Sequence, residues 1–144
     1  MRISLIVSTY NWPEALHLCL KSIMIQTRMP DEVIIADDGS TENTKLVVDS
    51  FRNRFQYPIQ HVWQVDNGFQ KCQILNKAIL RTNSDYLLFT DGDCIPRKDF
   101  ITKHLNFKEE GYFLSGGYFK LPMETSIKID TLEIQNQRCF SSSW

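Results

Sequence analysis

The sequence predicts an α/β fold with a mostly parallel sheet and helices on both faces. Four apolar runs of strand length alternate with segments whose apolar residues recur at helical spacing. Some of these runs are apolar at nearly every position, as is typical of parallel strands that are buried on both faces. This alternation of strands and helices is the pattern of an α/β protein, and the length favours one domain over residues 1–144.

The first two strands are predicted at Ile3–Val7 and Glu32–Ala36, where most side chains are apolar. The helix between them is predicted from Pro13, a residue suited to the first turn of a helix, and its apolar residues recur on one face. A second helix follows Ser40 or Thr41, either of which can cap it. We expect both helices to pack an apolar face against the sheet.

Two further strands complete the predicted sheet. Residues Ile59–Val65 alternate between apolar and polar side chains, which indicates an edge strand or a partly exposed strand. The residues Tyr86–Thr90 are mostly apolar and predict a strand that is buried on both faces. Gln70–Leu80 is predicted to be the helix between these strands, and another helix is predicted from Pro96.

The last third of the chain has weaker patterns. Tyr112–Phe119 predicts a strand, a glycine kink and another extended piece, and Glu124–Arg138 predicts a helix of mixed polarity.

The composition argues against several classes of partner. Hydrophobic residues make up 42% of the chain and charged residues 23%, an ordinary globular balance. A net charge of −1 offers no strong field for nucleic acid or acidic membranes, and no apolar run approaches the roughly 20 residues of a membrane helix. The four cysteines show no CxxC or zinc spacing, which indicates free thiols in a reducing compartment. We expect a cytoplasmic protein that binds no nucleic acid and is at most peripheral to a membrane.

Polar turns follow all four predicted strands. They are Ser8–Tyr10, Asp37–Gly39, Asp66–Gly68 and Asp91–Asp93. Because the carboxyl ends of parallel strands meet at one edge of the sheet, we expect these turns to converge. Open α/β sheets bind their ligands at that edge.

The pair Asp91 and Asp93 predicts a divalent metal site that would hold a diphosphate. Carboxylate oxygens suit a hard cation such as Mg²⁺ or Mn²⁺, and phosphate oxygens and waters can complete its coordination. Gly92 allows the sharp turn that would bring both carboxylates to one ion. A plain Asp–Gly turn is the alternative, and an EF-hand is excluded because Pro96 and Thr102 occupy its glycine and glutamate positions.

Three other polar side chains are candidates for ligand binding, each with a simpler alternative. The carboxylate of Asp38 could accept hydrogen bonds from a nucleobase or a ribose, or could belong to a capping turn. Tyr10 could stack on a base or only cover the edge of the sheet. Lys71 could meet a phosphate or lie on a solvated helix face. His17 and His61 have no evident partner in the sequence and are expected to be structural.

Several enzyme classes lack their motifs in this sequence. It contains neither the GxGxxG nor the GxxxxGK[ST] phosphate loop, and no Gly-x-Ser-x-Gly nucleophile elbow. These absences argue against a dehydrogenase, a P-loop NTPase and a serine hydrolase.

Four ordered motifs resemble those of family 2 glycosyltransferases of the GT-A fold. They are Ile3–Asn11, Pro30–Ser40, the helix that carries Asn76, and Leu88–Asp93. The resemblance covers about residues 2 to 120 and implies a Rossmann-like, nucleotide-sugar-binding half of a GT-A domain. The stretch Trp63–Phe69 is similar to the bacterial branch that synthesises polysaccharides.

This resemblance implies a metal-dependent, inverting transfer of a sugar from a nucleotide sugar, usually a UDP-sugar, to a saccharide or lipid-linked hydroxyl. It places Ser8, Tyr10 and Asp38 at the base and ribose, Gly68 and Lys71 near the nucleotide sugar, and Asp91 and Asp93 at an acid-x-acid motif. In that motif one acid meets the ribose, and the last acid meets Mn²⁺ or Mg²⁺. Such an enzyme would be cytoplasmic, or peripheral to the inner membrane.

Two features depart from the family pattern. Leu75 precedes Asn76 where the family often has arginine, and the family's catalytic base is expected beyond residue 144, with most of the acceptor-binding part. The remaining acids, namely Glu109, Glu110, Glu124, Asp130 and Glu133, match no base motif. A nucleotide-sugar-binding module without turnover is therefore one alternative. A nucleotidyltransferase is another, although Ser8–Trp12 lacks the glycine-rich, basic loop that such enzymes usually have.

Overall fold

The structure is a computed structural model that describes residues 1–141. It contains a four-stranded parallel sheet in the order β3-β2-β1-β4. The strands are β1 (Ile3–Thr9), β2 (Glu32–Asp37), β3 (Ile59–Trp63) and β4 (Tyr86–Asp91). The helices between and after them are α1 (Pro13–Ile23), α2 (Glu42–Phe51), α3 (Lys71–Ile79) and α4 (Phe100–Phe107). Residues 142–144, which end the predicted domain, lie outside the described residues.

Helices cover both faces of the sheet, which confirms the predicted fold class. On one face, buried side chains of β1 and β2 pack with Leu20 of α1, Phe51 of α2 and Ile101 of α4. On the other face, alternate residues of the same strands pack with Ile74 and Ala78 of α3. Every residue of β2 and all but the last residue of β1 are buried, as expected for central parallel strands.

The strand order changes direction between β1 and β4. From β1 the sheet first grows through β2 to β3, and the chain then returns to add β4 on the other side of β1. Such a reversal leaves a crevice at the carboxyl ends of the two strands. Ser8 of β1 and Asp91 of β4 are register partners at this place.

The prediction that β4 is buried on both faces is wrong. Within residues 1–141, β4 pairs with β1 alone and forms an edge of the sheet. Leu88 is buried, but 48% of Phe89 is exposed. An apolar run therefore predicted the strand correctly and its position in the sheet incorrectly. β3, predicted to be an edge strand from its alternation, is the opposite edge.

The last third of the chain also differs from its prediction. Tyr112–Phe119 forms no strand, and Phe113 and Phe119 are almost fully exposed. In place of one helix over Glu124–Arg138 there are two short helices, α5 (Met123–Ser126) and α6 (Thr131–Gln135), followed by a 3₁₀ turn at Arg138–Phe140. The helix predicted from Pro96 begins at Phe100. No helix within residues 1–141 is both long and apolar enough to cross a membrane.

Candidate functional site

A cleft of about 330 Å³ lies at the carboxyl edge of the sheet, beside the reversal between β1 and β4. All seven residues predicted from the sequence line it, namely Ser8, Tyr10, Asp38, Gly68, Lys71, Asp91 and Asp93. The first three polar turns of the sequence and the acid pair therefore meet in one place, as the parallel strand order requires.

Asp91 is held by two donors on one of its carboxylate oxygens. Ser8 Oγ donates to Asp91 Oδ1 at 2.6 Å, and Lys71 Nζ donates to the same oxygen at 2.5 Å. Burial acts to raise the pKa of Asp91, but the hydrogen bonds from Lys71 and Ser8 outweigh it and lower the pKa. Asp91 is therefore an oriented, ionised carboxylate, and within residues 1–141 no donor reaches its Oδ2.

Gly92 brings the acid pair close to the backbone of β1. Its N–H donates to Ser8 O at 2.7 Å, and a Cβ at this position would lie 3.0 Å from the same oxygen. Asp93, two residues from Asp91, is exposed to the cleft. Its closest polar contact among the described residues is the weak one from Cys94 Sγ to Oδ1 at 3.7 Å.

The donor set of the cleft fits a divalent ion that is shared with a ligand. Within residues 1–141 there is no cluster of three or more His, Cys, Asp or Glu side chains that could hold a metal alone. Asp91 and Asp93 each leave a carboxylate oxygen free, and hard cations such as Mg²⁺ and Mn²⁺ accept a few carboxylate ligands together with phosphate oxygens and water. An ion at this place would therefore complete its coordination with phosphate oxygens, water or both.

Asp38 is buried at the other side of the cleft, with 7% of its surface exposed. Gln64 Nε2 donates to its Oδ1 at 2.5 Å, and the backbone N–H of Gln70 donates to its Oδ2 at 2.8 Å. A carboxylate has about four acceptor positions, so each oxygen can accept one more hydrogen bond. Asp38 is thus fixed in direction and still able to bind a ligand.

The start of α3 connects the two acidic sides of the cleft. Gln70, the residue before the helix, donates its N–H to Asp38, and Lys71, the first helical residue, donates Nζ to Asp91. The positive end of the helix dipole therefore faces a cleft that already contains three carboxylates. A ligand bearing both hydrogen-bond donors and negative charge would be complementary to it.

Tyr10 stands at the mouth of the cleft and is fixed through its hydroxyl group. Tyr10 Oη donates to Asp66 Oδ2 at 2.9 Å, and this hydrogen bond raises the pKa of Tyr10. The N–H of Gly68, whose φ is +76°, donates to Asp66 Oδ1 at 3.1 Å. At Gly39, with φ of +98°, a Cβ would lie 2.5 Å from Asp66 Cα, so only glycine permits the two turns to approach.

Several side chains of the site were not predicted from the sequence. Trp12 and Phe69 line the cleft as exposed aromatic residues, and their positions beside two of the polar turns could have indicated them. His61, for which no partner was expected, contacts Asp37 Oδ2 through Nε2 at 2.8 Å. Gln64 lies next to β3, within the stretch Trp63–Phe69, but its contact with Asp38 was not predicted because that contact depends on the pairing of β2 and β3.

The acids considered as a catalytic base lie elsewhere. Glu109, Glu110, Glu124, Asp130 and Glu133 do not line the cleft. Asp130 accepts the N–H of Glu133 at the start of α6, and Glu133 contacts Arg138 at 2.6 Å. Two of the five acids therefore have local structural contacts.

The described geometry has counterparts in known proteins. The model of the family Glycosyl transferase family 2 matches residues 4–140. The chain belongs to this family. The resemblance inferred from the ordered motifs is thereby confirmed.

Two curated relatives come from Pasteurella multocida. A chondroitin synthase is 31% identical and a hyaluronan synthase 35% identical over 104 residues, which is 72% of this chain. The chain spans 11% and 10% of the lengths of those two proteins. This family 2 chain therefore corresponds to a small part of each.

Solved structures show the same fold. Crystal structures of S. aureus TarS, including one in complex with UDP, superpose with a TM-score of 0.65 at 27% identity and cover 74% of this chain and 32% of that one. The mannosyltransferase PcManGT from Pyrobaculum calidifontis, in complex with GDP-Man and Mn²⁺, gives a TM-score of 0.66 at 23% identity. The Rossmann-like α/β architecture of the GT-A glycosyltransferases is therefore present in this chain.

Proposed function

We propose that this chain is the donor-binding part of a metal-dependent, inverting glycosyltransferase. The donor would be a nucleotide sugar, and we propose a UDP-sugar because S. aureus TarS was crystallised with UDP and with UDP-GlcNAc. The acceptor would be a hydroxyl group of a saccharide or lipid-linked saccharide, in polysaccharide or glycoconjugate biosynthesis. The observation that carries the proposal is the convergence of Asp38, Lys71, Asp91 and Asp93 in one cleft of a family 2 chain.

The nucleoside would occupy the side of the cleft formed by Asp38 and Tyr10. Asp38 has acceptor capacity left on both oxygens and can receive a nucleobase N–H or a ribose hydroxyl. The exposed ring of Tyr10 can stack on the base. Ser8 and Gly68 also line the cleft. The N–H groups at the start of α3 favour negative charge nearby.

The diphosphate would lie toward Asp91 and Asp93. These two carboxylates would hold Mn²⁺ or Mg²⁺, as the donor set of the cleft allows. When bound, such an ion neutralises negative charge that develops on a departing diphosphate. Lys71, held by Asp91 at 2.5 Å, places a further positive charge beside the same position.

A nucleotide-sugar-binding module without turnover is the second candidate. The acids that line the cleft are Asp38, Asp91 and Asp93, and each has a proposed role in donor binding. An inverting transfer also needs a base to remove the proton of the acceptor hydroxyl. Transfer of sugar from a UDP-sugar to an acceptor by this 144-residue chain would exclude the second candidate, whereas binding without transfer would support it.

We further propose that the chain forms one domain and works in the cytoplasm, free or peripheral to the inner membrane. The four cysteines are free thiols, as expected in a reducing compartment.

Isothermal titration with UDP in the presence and absence of Mn²⁺ tests the proposed function. We expect the wild type to bind UDP, and Mn²⁺ to increase the affinity. Asp93→Asn should lower the UDP affinity in the presence of Mn²⁺ about tenfold and so remove most of the Mn²⁺-dependent increase. The reason is that a contact with a charged group contributes on the order of 1.5–3 kcal/mol. Glu110→Gln removes the same charge from an exposed residue outside the cleft and should leave the affinity unchanged.

Two results would contradict the proposal. The first is an absence of UDP binding by the wild type with and without Mn²⁺. The second is an equal effect of Mn²⁺ on wild type and Asp93→Asn, which would show that the ion does not bind at the acid pair.

A further inference from the structure

Gln64 is a buried amide that no ligand of the proposed site would touch. It follows the end of β3, does not line the cleft of about 330 Å³, and has 6% of its surface exposed. Its side chain nevertheless contacts Asp38 within the proposed nucleoside side of the cleft. A buried amide retains its place only if its donors and acceptor are satisfied.

Every polar group of the Gln64 side chain has a partner. Nε2 donates to Asp38 Oδ1 at 2.5 Å and makes a longer contact with Gln70 O at 3.4 Å, while Oε1 accepts from Lys77 Nζ at 2.9 Å. The reversed amide would place Oε1 against two other oxygens and Nε2 against an ammonium group. The contacts with Lys77, Asp38 and Gln70 O together therefore fix which end of the amide faces Asp38.

The network extends from α3 to the end of β2. Lys77 lies in the last turn of α3, and Gln70 immediately precedes that helix. Asp38 follows β2 directly and donates its own N–H to Thr9 O at 3.0 Å. Lys77 and Gln64 thus approach Asp38 from an open groove of about 500 Å³, which they line with Trp63 and Gln73.

We infer that Gln64 and Lys77 are positioning residues that hold the Asp38 carboxylate in the direction required for nucleoside binding. The inference rests on the proposed function. Lys77 helps to fix the orientation of the Gln64 amide, and the amide occupies one acceptor position of Asp38 Oδ1. Asp38 lines the cleft, and each of its oxygens can accept one more hydrogen bond. Among the described residues, the charged groups that meet the Gln64 side chain are Asp38 and Lys77.

The variant Gln64→Glu tests the inference because it replaces a donor by a carboxylate of nearly the same shape. At pH 8 two carboxylates would share a site made for a donor and an acceptor, and UDP affinity should fall about tenfold or more relative to wild type. Near pH 5.5 a proton bound between the two groups restores a donor, since a carboxylate neighbour strongly raises a pKa. The ratio of variant to wild-type Kd should therefore decrease toward one as the pH falls.

Gln73→Glu is the matched control. Gln73 lines the same groove, is exposed, and makes no side-chain hydrogen bond within residues 1–141. The same substitution there should change the UDP Kd by less than about twofold at either pH, because exposed charges are screened by water and salt.

A second pair of variants tests the role of Lys77. Lys77→Met should weaken UDP binding severalfold, because Oε1 of Gln64 then loses its donor and the amide is held less firmly against Asp38, and Lys77→Arg should restore most of the affinity. Both should show wild-type circular dichroism, since Lys77 is exposed on α3.

The outcomes separate the inference from the proposed function. No UDP binding by the wild type would overturn both. If the wild type binds UDP and Gln64→Glu binds it with the same affinity as the wild type at both pH values, the inference alone would be overturned. A loss of affinity that is the same at pH 5.5 and pH 8, or that Lys77→Arg does not rescue, would also overturn it by indicating a purely structural role.

Discussion

The two ends of the same sheet each hold an ionised carboxylate, but the protein surrounds them differently. At the amino-terminal end, Glu32 of β2 is 3% exposed and both of its oxygens accept hydrogen bonds. Its donors are Ser4, Gln60, Thr82 and Ser84. At the carboxyl end, the side chain of Asp91 is 49% exposed and its two donors share one oxygen.

The pKa of each group is lowered, and the causes differ. Burial acts to raise the pKa of Glu32, and four hydrogen bonds from uncharged side chains outweigh that effect. Burial also acts to raise the pKa of Asp91, and the ammonium of Lys71 is the largest opposing influence, followed by Ser8. Glu32 is therefore stabilised by a closed shell of neutral donors, and Asp91 by a shell that is open toward the cleft.

This difference separates a structural carboxylate from one that we propose to bind a ligand. Glu32, the first residue of β2, connects that strand to β1, β3 and the loop before β4, because its donors come from these three places. It does not line the cleft that contains Asp91. Asp91 has a free oxygen in a cleft, beside the strand-order reversal where open α/β sheets bind ligands. A lowered pKa alone would not distinguish the two residues, whereas their exposure and the number of hydrogen bonds that each accepts do.

The largest effect is expected from Glu32→Ala. Removal of this carboxylate leaves buried donors without an acceptor, and we expect the free energy of unfolding to fall by about 3 kcal/mol. Urea denaturation measures the change, and Glu110→Ala, at an exposed residue, serves as the control with an expected change below about 0.5 kcal/mol. In the folded protein the UDP affinity should be unchanged. A loss of stability no larger than that of the control would contradict the structural role of Glu32.

Asp91→Asn should show the opposite pattern. We expect the UDP affinity in the presence of Mn²⁺ to fall about tenfold, equivalent to about 1.4 kcal/mol, because an amide is a poor ligand for a hard cation. The free energy of unfolding should change by less than about 1 kcal/mol, since half of the side chain is solvated and the pair with Lys71 is partly screened. Titration calorimetry and urea denaturation of the same sample measure both quantities. Strong destabilisation with unchanged UDP affinity would contradict the proposed ligand-binding role of Asp91 and indicate a structural one.

Acidification should produce a smaller change in the free energy of unfolding, which depends on the lowered pKa of Glu32. The folded pKa of Glu32 lies below its ordinary value, so the folded state binds this proton less tightly than the unfolded state does. Its contribution to stability is therefore present above the ordinary pKa of about 4.3 and is lost as the pH falls through the folded pKa. We expect the unfolding free energy of the wild type to decrease between pH 6 and pH 3. The decrease should be smaller in Glu32→Gln, and an equal decrease in both proteins would contradict this account.

The fold was largely predictable because it depends on local patterns. The continuous apolar runs of β1 and β2 identified central parallel strands, and the alternation in Ile59–Val65 identified an edge strand. Capping residues and the helical spacing of apolar residues located the starts of α1, α2 and α3 to within about two residues, whereas α1 and α2 end several residues before Pro30 and Pro58, where the sequence predicted their ends. These signals are reliable because burial on one or two faces imposes its period directly on the sequence.

Predictions were wrong where the burial of a segment depends on which other parts of the protein pack against it. The apolar run Tyr86–Phe89 suggested a strand buried on both faces, yet β4 is an edge strand with Phe89 half exposed. Tyr112–Phe119 has the composition of a strand, yet it is exposed and forms no strand. Strand propensity depends on neighbouring strands, which a local sequence pattern does not contain.

The sequence by itself determined the α/β fold, the family motifs and the seven polar residues that line the cleft, because strand ends and turn residues are local features. The tertiary structure was needed to show that protein donors reach both oxygens of Glu32 and only one oxygen of Asp91. Glu32 meets donors up to 52 residues away, Gln64 meets Asp38 across 26 residues, and Lys71 meets Asp91 across 20. Such contacts follow from the order and register of the strands, and these are properties of the packed sheet rather than of any one segment.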